Sequence, residues 1–400
     1  MANNNDKKVL NVPALRFPEF TGEWEIVSLK DIAVVNPKSE PLLNKFFYID
    51  LESVEKGELK KIQEILQEEA PSRAQRVISN NDILFQCVRP YQKNNYIHRV
   101  KNTSNIQWIA STGYAQIRTT ESPNYIYHLL NTDGFNRKVM VRCTGSSYPA
   151  INSEDLSAIR FYLSTDKKEQ CKIARLLDLL DERISTQNKI IEDLKKLKSA
   201  IVEMLLCNQS GEFFKLGDVG CYVRGLTYAN EDVTENKAAT IVIRANNLNY
   251  GSHVDKREVV YVNKTPTVSQ ILRKGDIVIC MANGSSALVG KNSYYPFNDR
   301  QSTIGAFCGI YRTSNPLVKW LMQSQRYKRQ VYQSLQGGNG AIANLNGDDI
   351  LNMSFPLIEK EKSQSIIFTI EAIEKSLVAN KCLHRLYYTQ KSYLLKQMFI

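Results

Sequence analysis

Apolar residues recur at alternating steps of four and three through residues 168–206, and this stretch contains neither glycine nor proline. The spacing places the apolar side chains on one stripe of an α-helix and is typical of a coiled-coil seam. The same pattern returns 193 residues later, over residues 366–398. The predicted seam residues are Ile173, Leu177, Leu180, Ile184, Gln187, Ile191 and Leu194 in the first helix, and Ile366, Ile370, Ile373, Leu377, Asn380, Leu394 and Met398 in the second. Polar residues hold equivalent seam positions, Gln187 with Asn380 and Lys198 with Lys391, and we expect them to fix the helix register.

The segments that precede the two helices also repeat, with an offset of 194 residues. NDILF at 81–85 returns as GDIVI, GYAQIRT at 113–119 as GAFCGIYRT, and INSEDLSAIRFYL at 151–163 as LNGDDILNMSFPL. Short runs rich in Ile, Val, Phe and Tyr, separated by Gly, Asn and Pro, predict strands. Residues 318–335 have a helical pattern. Each copy is therefore predicted to be a globule of strands and helices followed by one long helix.

The repeat predicts an α+β protein built from two tandem α/β domains and two long helices. The predicted boundaries are 1–164 for the first domain, 165–206 for the first helix, 207–357 for the second domain and 358–400 for the second helix. Two such seams bury each other most simply when the helices are antiparallel. The expected arrangement is therefore an antiparallel coiled coil that separates the domains, with pseudo-twofold symmetry between the copies.

Composition favours a folded protein with more than one core. The chain has 400 residues, of which 43% are apolar, enough to bury a core in each of two or three domains. The first ten residues lack the apolar region of a signal peptide, and no run approaches the ~18 apolar residues of a membrane span. The eight cysteines form no CxxC pair and have no histidine nearby. We therefore expect a cytoplasmic protein with reduced thiols and no metal site.

The formal net charge is +11, and the basic residues concentrate in one part of each copy. Residues 70–142 contain ten basic and three acidic residues, and the matching residues 264–336 contain ten basic and two acidic ones. Residues 1–69 have nine basic and thirteen acidic residues. One basic segment alone is most simply a solvated surface. Two equivalent basic segments favour a long polyanion with twofold backbone symmetry as partner, and double-stranded DNA fits best.

The basic segments contain residues suited to DNA. Arginine can bridge O6 and N7 of guanine, asparagine and glutamine can read adenine, and lysine can bind phosphate. Glycine-rich loops, CTGSSYPAIN and LQGGNGAIAN, occupy equivalent places and could approach a groove closely. An ordinary turn is the equally simple alternative for each. The candidate DNA contacts are Arg73, Arg76, Arg89, Tyr91, Lys93, Asn94, Arg142, Ser146, Tyr148, Arg273, Lys274, Lys291, Asn292, Arg300, Lys328, Arg329 and Asn339.

No constellation typical of catalysis is found in the sequence. GSSALVGKN resembles a phosphate-binding loop, but Ser285 stands where that motif needs glycine, and Asn292 where it needs Ser or Thr. GELKK at 57–61 contains an ExK triplet of the kind used by metal-dependent nucleases, and such triplets are common in charged sequence. There is no glycine-rich dinucleotide motif and no Asn-Pro-Pro-aromatic run. We therefore predict no catalytic and no metal-binding residues.

Several phrases together resemble the specificity subunits of type I restriction-modification systems. VPALRFPEFTGEWEIVSLKDI at 12–32 resembles the family's opening, and EQCKIARLLDLLDERI with LKKLKSAIVEML resembles its central conserved helix. KSYLLKQMF at 391–399 is similar to its terminal helix, and PSRAQRVISNNDILFQCVRPYQKN with ASTGYAQIR to phrases of its target-recognition domains. The resemblance covers essentially the whole chain. The second copy departs from it, since NQSGEFFKLGDV lacks a full counterpart of the RFPEF segment.

The resemblance implies two target-recognition domains, each of which reads one half of a split DNA target, with paired helices that fix the gap. It implies as partners two methyltransferase subunits that bind S-adenosylmethionine and methylate adenine, and motor-nuclease subunits that use ATP and magnesium. It implies that the chain itself binds no cofactor and catalyses nothing.

Two other functions remain open from the sequence. The chain could be a stand-alone enzyme that acts on DNA, or a coiled-coil scaffold that binds only proteins. Turnover by the purified chain would indicate the first, and the absence of DNA binding at ~0.1 M salt would indicate the second.

Overall fold

The chain divides into two compact units, each of which contains a stretch of both long helices. The computed structural model describes residues 11–99, 106–207, 211–299, 301–335 and 343–400. Unit 1 consists of Met1–Asn188 with Cys382–Ile400, and unit 2 consists of Lys189–Lys381. The long helices are thus shared between the units instead of forming a body of their own.

Within its described residues, unit 1 contains two four-stranded sheets and two two-stranded ribbons, β1–β12 and β4–β5. Its strands are β1 (Glu25–Ser28), β2 (Ala33–Val35), β3 (Lys45–Ile49), β4 (Val54–Glu55), β5 (Glu58–Leu59), β6 (Gln63–Leu66), β7 (Ala74–Ile78), β8 (Ile83–Gln86), β9 (Tyr96–Ile97), β10 (Gln107–Ser111), β11 (Tyr114–Thr119) and β12 (Arg160–Leu163). Its helices are α1 (Leu29–Ile32), α2 (Pro123–Leu130), α3 (Asp133–Arg142), α4 (Ser153–Ser157) and the first part of α5 (Lys167–Val202). The sheet orders are β2-β11-β8-β9 and β6-β3-β10-β7, and β1 pairs with β12.

Unit 2 repeats this framework. Its strands are β13 (Phe213–Lys215), β14 (Gly220–Arg224), β15 (Val233–Thr234), β16 (Thr240–Ile243), β17 (Ser252–His253), β18 (Val260–Val262), β19 (Ile277–Cys280), β20 (Ala282–Asn283), β21 (Asn292–Tyr294), β22 (Ser302–Ile304), β23 (Cys308–Thr313), β24 (Ala343–Asn344) and β25 (Ser354–Pro356). Its helices are the last part of α5, α6 (Leu216–Val219), α7 (Val318–Leu321), α8 (Gln325–Leu335), α9 (Gly347–Leu351) and the first part of α10 (Lys360–Gln397), whose last part belongs to unit 1. The sheet orders are β14-β23-β19-β21-β17 and β15-β18-β16-β22.

The pairing of the strands confirms the predicted repeat. Strand β3 runs parallel to β10 in unit 1, and β16 runs parallel to β22 in unit 2. The ribbon β1–β12 likewise corresponds to β13–β25, and both ribbons are antiparallel. Both units are therefore α+β domains with a shared strand framework, as the sequence predicts, although unit 2 adds β15 and β17 at sheet edges and has no strand equivalent to β7 among its described residues.

The predicted helix at 318–335 is wrong in one respect, because it is broken into α7 and α8. The Oγ atom of Ser324 accepts a hydrogen bond from the backbone N–H of Tyr327 (3.1 Å), which caps the start of α8. The side-chain amide of Asn292 donates to the carbonyl oxygen of Met322 (2.8 Å), at the end of α7. Both contacts are made by polar side chains, and the periodicity of apolar residues does not predict such contacts.

The two long helices are antiparallel within each unit, as predicted. In unit 1, Leu394 and Met398 of α10 join the core cluster that contains Ile173 and Leu177 of α5. In unit 2, Ile366 and Ile370 of α10 join the core cluster that contains Val202 of α5 and Leu206 of the helical turn that follows it (Glu203–Cys207). The buried seam residues are Ile173, Leu177, Leu180, Ile184, Gln187, Ile191, Ile366, Ile370, Leu377, Leu394 and Met398, and Leu194, Ile373 and Asn380 are partly buried.

The polar seam residues include two equivalent ion pairs. In unit 1, the Lys391 ammonium contacts the Asp181 carboxylate at 2.5 Å. In unit 2, the Lys198 ammonium contacts the Glu374 carboxylate. The lysine lies on α10 and the acid on α5 in unit 1, whereas the lysine lies on α5 and the acid on α10 in unit 2. This exchange is expected for a repeated antiparallel pair of helices.

Among the described residues, no helix is both long enough and apolar enough to cross a bilayer.

In each unit, a buried aspartate just before an inner strand, β8 or β19, binds an arginine of the neighbouring strand, β11 or β23. Asp82 is 1% exposed and accepts hydrogen bonds from the backbone N–H of Ser79 (2.7 Å), from the Gln116 amide (2.7 Å) and from the Arg118 guanidinium (2.8 and 2.7 Å). In unit 2, Asp276 binds the backbone N–H of Arg273 and the Arg312 guanidinium in the same way.

Replacing Asp82 with alanine is expected to lower the free energy of unfolding by about 3 kcal/mol, since the buried Gln116 amide and the Arg118 guanidinium would lose their shared acceptor. Urea denaturation followed by circular dichroism measures the change. Glu68→Ala, at an exposed position of the same unit, is the control and should change it by less than about 0.5 kcal/mol. Equal loss in both variants would contradict this role for Asp82.

Candidate DNA interface

In unit 1, the chain after β8 meets the glycine-rich loop at 144–150. Val88 forms an isolated bridge with Ala150, and the backbone N–H of Arg89 donates to the carbonyl oxygen of Pro149 (2.8 Å). The backbone N–H of Ile151 donates to the carbonyl oxygen of Cys87 (3.1 Å). These backbone contacts fix Arg89 beside the loop, although the two segments are far apart in sequence.

Arg89 and Tyr148 form a stacked pair at this junction. The Arg89 guanidinium carbon lies 4.4 Å from the centroid of the Tyr148 ring, and Tyr148 is 62% exposed. No acidic partner of Arg89 is found within the described ranges. Stacking fixes the plane of a guanidinium but leaves its N–H groups free in that plane.

Arg73 and Arg76 border the neighbouring turn between β10 and β11. The carbonyl oxygen of Arg73 accepts from the backbone N–H of Thr112 (2.9 Å), and the carbonyl oxygen of Gly113 accepts from the backbone N–H of Cys87 (3.0 Å). The turn therefore links Arg73 to the strand that leads into Arg89. We call Arg73, Arg76, Arg89 and Tyr148 the Arg89 surface.

Arg76 is a partly buried cation without a carboxylate partner in the described part of the chain. Its Nε atom is buried and makes no hydrogen bond there, and burial lowers the pKa of its guanidinium. The nearby Cys87 cannot balance the charge, because burial raises the pKa of that thiol to about 11 and the thiol stays neutral. An incoming hydrogen-bond acceptor would satisfy Arg76.

Two other predicted contacts of unit 1 support the fold internally. Lys93 donates to the Asp133 carboxylate (2.6 Å) and to the carbonyl oxygen of Asn131 (3.1 Å), and this contact lowers the pKa of Asp133. The side-chain oxygen of Asn94 accepts from the backbone N–H of Lys56 (3.0 Å). Tyr91, Arg142 and Ser146 are exposed.

The same backbone contacts recur in unit 2 and identify the equivalent place there. The backbone N–H of Met281 donates to the carbonyl oxygen of Phe307 (2.9 Å), and the backbone N–H of Leu345 donates to the carbonyl oxygen of Met281 (2.7 Å). Strand β20 pairs with β24, as Val88 does with Ala150. Asn283 therefore corresponds to Arg89, and Phe307 corresponds to Gly113.

A cleft of about 580 Å³ opens at this place in unit 2. Phe307 is 70% exposed at the cleft, and Gly305 lies between two side chains on its wall. A Cβ atom at Gly305 would lie 3.6 Å from Tyr228 Cε1 and 4.0 Å from Arg244 Cγ. We call this the Phe307 cleft, and its polar and aromatic lining residues are Tyr228, Asn230, Arg244, Asn246, Asn283 and Phe307. Its aromatic rings can stack on bases, and its amides and guanidinium can bind base edges.

None of the residues predicted for the second copy lines the Phe307 cleft within the described ranges. Arg273, Lys274, Lys328 and Arg329 are exposed, and Lys291 is partly exposed. The Lys328 ammonium lies 4.9 Å from the centroid of the Tyr250 ring. Asn292 is 2% exposed and its amide is bound to Met322, so it is not available at the surface. Arg300, Asn339 and most of the LQGGNGAIAN loop lie outside the described residues.

Sequence reasoning missed Tyr228, Arg244, Asn246 and Phe307. The available signal was the repeat itself, because its offset places the apolar Phe307 in a turn where the first copy has Gly113. A large aromatic residue in a turn lacks a core position to fill.

The fold and these two surfaces define a protein of two tandem α+β domains, each followed by a long helix. Residues 21–196 match the family model of the type I restriction modification DNA specificity domain. Within these residues the chain is therefore similar to the type I restriction modification DNA specificity domain, in agreement with the resemblance stated from the sequence.

Curated relatives show the same similarity to specificity subunits. A 150-residue segment is 30% identical to the specificity subunit of the type I restriction enzyme EcoKI from Escherichia coli (strain K12), and covers 35% of this chain and 31% of that subunit. A 149-residue segment is 30% identical to the StySPI specificity subunit from Salmonella potsdam, again over 31% of the relative. The matches thus span about a third of the length of each relative.

Solved structures share the fold over nearly the whole chain. The type I restriction-modification system S subunit from M. genitalium has a TM-score of 0.59 and 14% identity, and the match covers 97% of this chain and 99% of that one. A chain in a structure of a type I R-M system has a TM-score of 0.57 and 19% identity, with 94% and 97% covered. The tandem architecture is therefore one found in this class of protein.

Proposed function

We propose that the chain is the non-catalytic specificity subunit of a type I restriction-modification complex and reads a two-part target in double-stranded DNA. The observation that supports this most directly is the recurrence of a polar, arginine- or asparagine-bearing surface at the same backbone junction in both units. In unit 1 this surface presents Arg89 and Tyr148, and in unit 2 Asn283 and Phe307. Each unit would read one half of the target.

The charge of the two units supports DNA as the partner. Residues 70–142 and 264–336 each have about ten basic residues and few acidic ones. Such segments attract the phosphate backbone without regard to sequence, whereas arginine and asparagine side chains discriminate between base edges in the major groove. The attraction to phosphate would give affinity, and the contacts with base edges would give specificity.

We assign the chemistry to partner subunits. Two methyltransferase subunits would bind S-adenosylmethionine and methylate adenine, and motor-nuclease subunits would use ATP and magnesium for restriction. Exposed apolar residues on α5 and α10 offer contact surface for such partners. These residues are Leu179, Leu383, Leu386 and Tyr393 in unit 1, and Ile190, Leu197, Phe368 and Val378 in unit 2.

Co-expression with the methyltransferase subunits of its own system tests this function. We expect methylated adenines in a single two-part motif with a fixed gap, read by sequencing the modified host DNA. The same subunits without this chain should leave that motif unmethylated. Methylation without a motif, or with one undivided motif, would contradict the proposal.

The two alternatives predict different results with purified components. A protein scaffold would retain no DNA at ~0.1 M salt, alone or with the methyltransferase subunits. A stand-alone enzyme would modify or cleave DNA by itself when given S-adenosylmethionine, ATP and magnesium. We expect target-dependent DNA retention with the partners, and no turnover by the chain alone.

A further inference from the structure

We propose that the half-site read by unit 1 contains an obligatory G·C pair whose guanine is bound by Arg89. This inference rests on the proposed function and deepens it, because it assigns a base to one half of the target. At the equivalent position unit 2 presents Asn283, so we expect no arginine-read guanine at the corresponding position of the other half-site.

The stacked geometry of Arg89 suits guanine in particular. Its guanidinium carbon lies over the Tyr148 ring, 4.4 Å from the ring centroid, and this cation–π contact holds the guanidinium beside the ring. The N–H groups of a guanidinium form a planar fork that matches O6 and N7 of guanine. No other base presents two acceptors at this spacing in the major groove. A side chain already held by such a contact also loses less conformational entropy on binding.

Five other arginines of unit 1 are held differently. The carboxylates of Glu169, Asp178 and Asp82 bind Arg16, Arg99 and Arg118. Arg142 donates to the carbonyl oxygen of Lys138 (3.1 Å), and the Nε atom of Arg76 is buried. Within the described residues of unit 1, Arg89 is thus the arginine that combines aromatic stacking with freedom from any carboxylate.

The backbone at Arg89 supports a functional reason for arginine at this position. Its φ angle is 54°, in the left-handed region that costs free energy for residues other than glycine. Glycine would relieve this strain, yet the position holds an arginine whose backbone N–H is fixed to Pro149 and whose carbonyl precedes Pro90. The strained backbone directs the side chain onto Tyr148, at the exposed edge of the domain.

Unit 2 offers different chemistry at the matching place. The side-chain oxygen of Asn283 accepts from the backbone N–H of Ser285 (3.0 Å), which orients the amide. The Asn283 side chain lines the Phe307 cleft and also contacts the Cys280 thiol, which holds the amide in place. The Asn283 amide carries its N–H donors on one nitrogen, so it cannot bind O6 and N7 of guanine with a fork of two nitrogens as the Arg89 guanidinium can. Asn283 therefore provides a matched control for Arg89.

The experiment uses the assembled complex with its methyltransferase subunits and oligonucleotides that carry the methylated motif. Each guanine of the motif is replaced in turn by the other three bases and by 7-deazaguanine, which lacks the N7 acceptor. For the wild-type complex we expect one guanine, in one half-site only, at which substitution weakens binding by roughly 10- to 100-fold. We expect 7-deazaguanine to weaken binding by about 10-fold at the same position.

Variants assign this guanine to Arg89. In Arg89→Gln, we expect guanine at that position to lose its advantage over the other bases, and 7-deazaguanine to have no further effect. Arg89→Lys should retain part of the preference, since lysine also donates to guanine but lacks the fork. Asn283→Ala should leave the preference at this position unchanged. Circular dichroism and assembly with the methyltransferase subunits confirm that each variant is folded.

Several outcomes would overturn the inference. One is a motif in which no guanine depends on its N7 atom, a result obtained with the wild-type complex alone and therefore independent of how the variants fold. Another is a uniform loss of affinity in Arg89→Gln with unchanged base preference, which would make Arg89 a phosphate contact. A complex that methylates no two-part motif would instead contradict the proposed function, so the two failures are distinguishable.

Discussion

A variant with alanine in place of Arg73, Arg76 and Arg89 is expected to methylate the native target at least about 100-fold more slowly when assembled with the methyltransferase subunits. Each contact of an arginine with a base edge or phosphate contributes roughly 1–3 kcal/mol, and three such contacts are removed together. The residues share one surface around the turn that links β10 and β11. Methylation rates on oligonucleotides with the native target measure the effect.

A charge-matched control separates this surface from general electrostatic attraction. Lys30, Arg137 and Arg160 are exposed residues of the same unit, outside the Arg89 surface, and their replacement by alanine removes the same formal charge. We expect this control to lower the rate by less than about 5-fold at 0.15 M salt, where distant charges are screened. An equal decrease in methylation rate in the two triple variants would contradict the assignment of the Arg89 surface as a DNA-reading surface.

Glu169→Ala is expected to lower the free energy of unfolding of unit 1 by about 3–5 kcal/mol, the loss typical of a broken buried ion pair. Glu169 is fully buried at the start of α5. It accepts from the Arg16 guanidinium (2.6 and 2.8 Å), from Nε1 of Trp24 (3.1 Å) and from Oγ of Ser164 (2.5 Å). Its hydrogen bond with Arg16 raises the pKa of that guanidinium. Alanine would leave these buried donors without an acceptor.

Hydrogen exchange followed by mass spectrometry measures this loss separately for each unit. We expect faster exchange throughout residues 11–99 and 106–188, with little change in unit 2. Glu182→Ala on the same helix is the control, because the Glu182 side chain is 62% exposed and its loss should change unfolding by less than about 0.5 kcal/mol. Unchanged exchange in Glu169→Ala would show that the donors find other partners.

The hydrogen bonds of Glu169 also explain a difference between the two copies of the sequence. Arg16 belongs to the RFPEF segment, whose Glu19 contacts the Lys172 ammonium and whose Phe17 ring lies 4.4 Å from it. The second copy lacks this segment, and at the position equivalent to Glu169 it has Lys362, which pairs with Glu359 (2.9 Å). A buried carboxylate without Arg16 would be costly, so the segment and its acceptor are absent together.

The repeat predicted the strand framework but not the complete binding surfaces. Strands and helices follow from apolar periodicity, which is a local property and is read directly from residues such as 81–85 and 275–279. The Phe307 cleft is assembled from Tyr228, Arg244 and Asn283 together with the turn at Phe307. These residues lie on four separate segments that only strand pairing brings together.

The sequence by itself determined two α+β domains and two antiparallel helices, because the spacing of apolar residues dictates which stripe or face must be buried. The tertiary structure decided which polar side chains remain available. Lys93, Asn94 and Asn292 are bound within the fold, whereas Arg89 is stacked on Tyr148 with its N–H groups free. The reason is that hydrogen bonds between distant segments, such as that from Arg89 to Pro149, have no signature in local spacing.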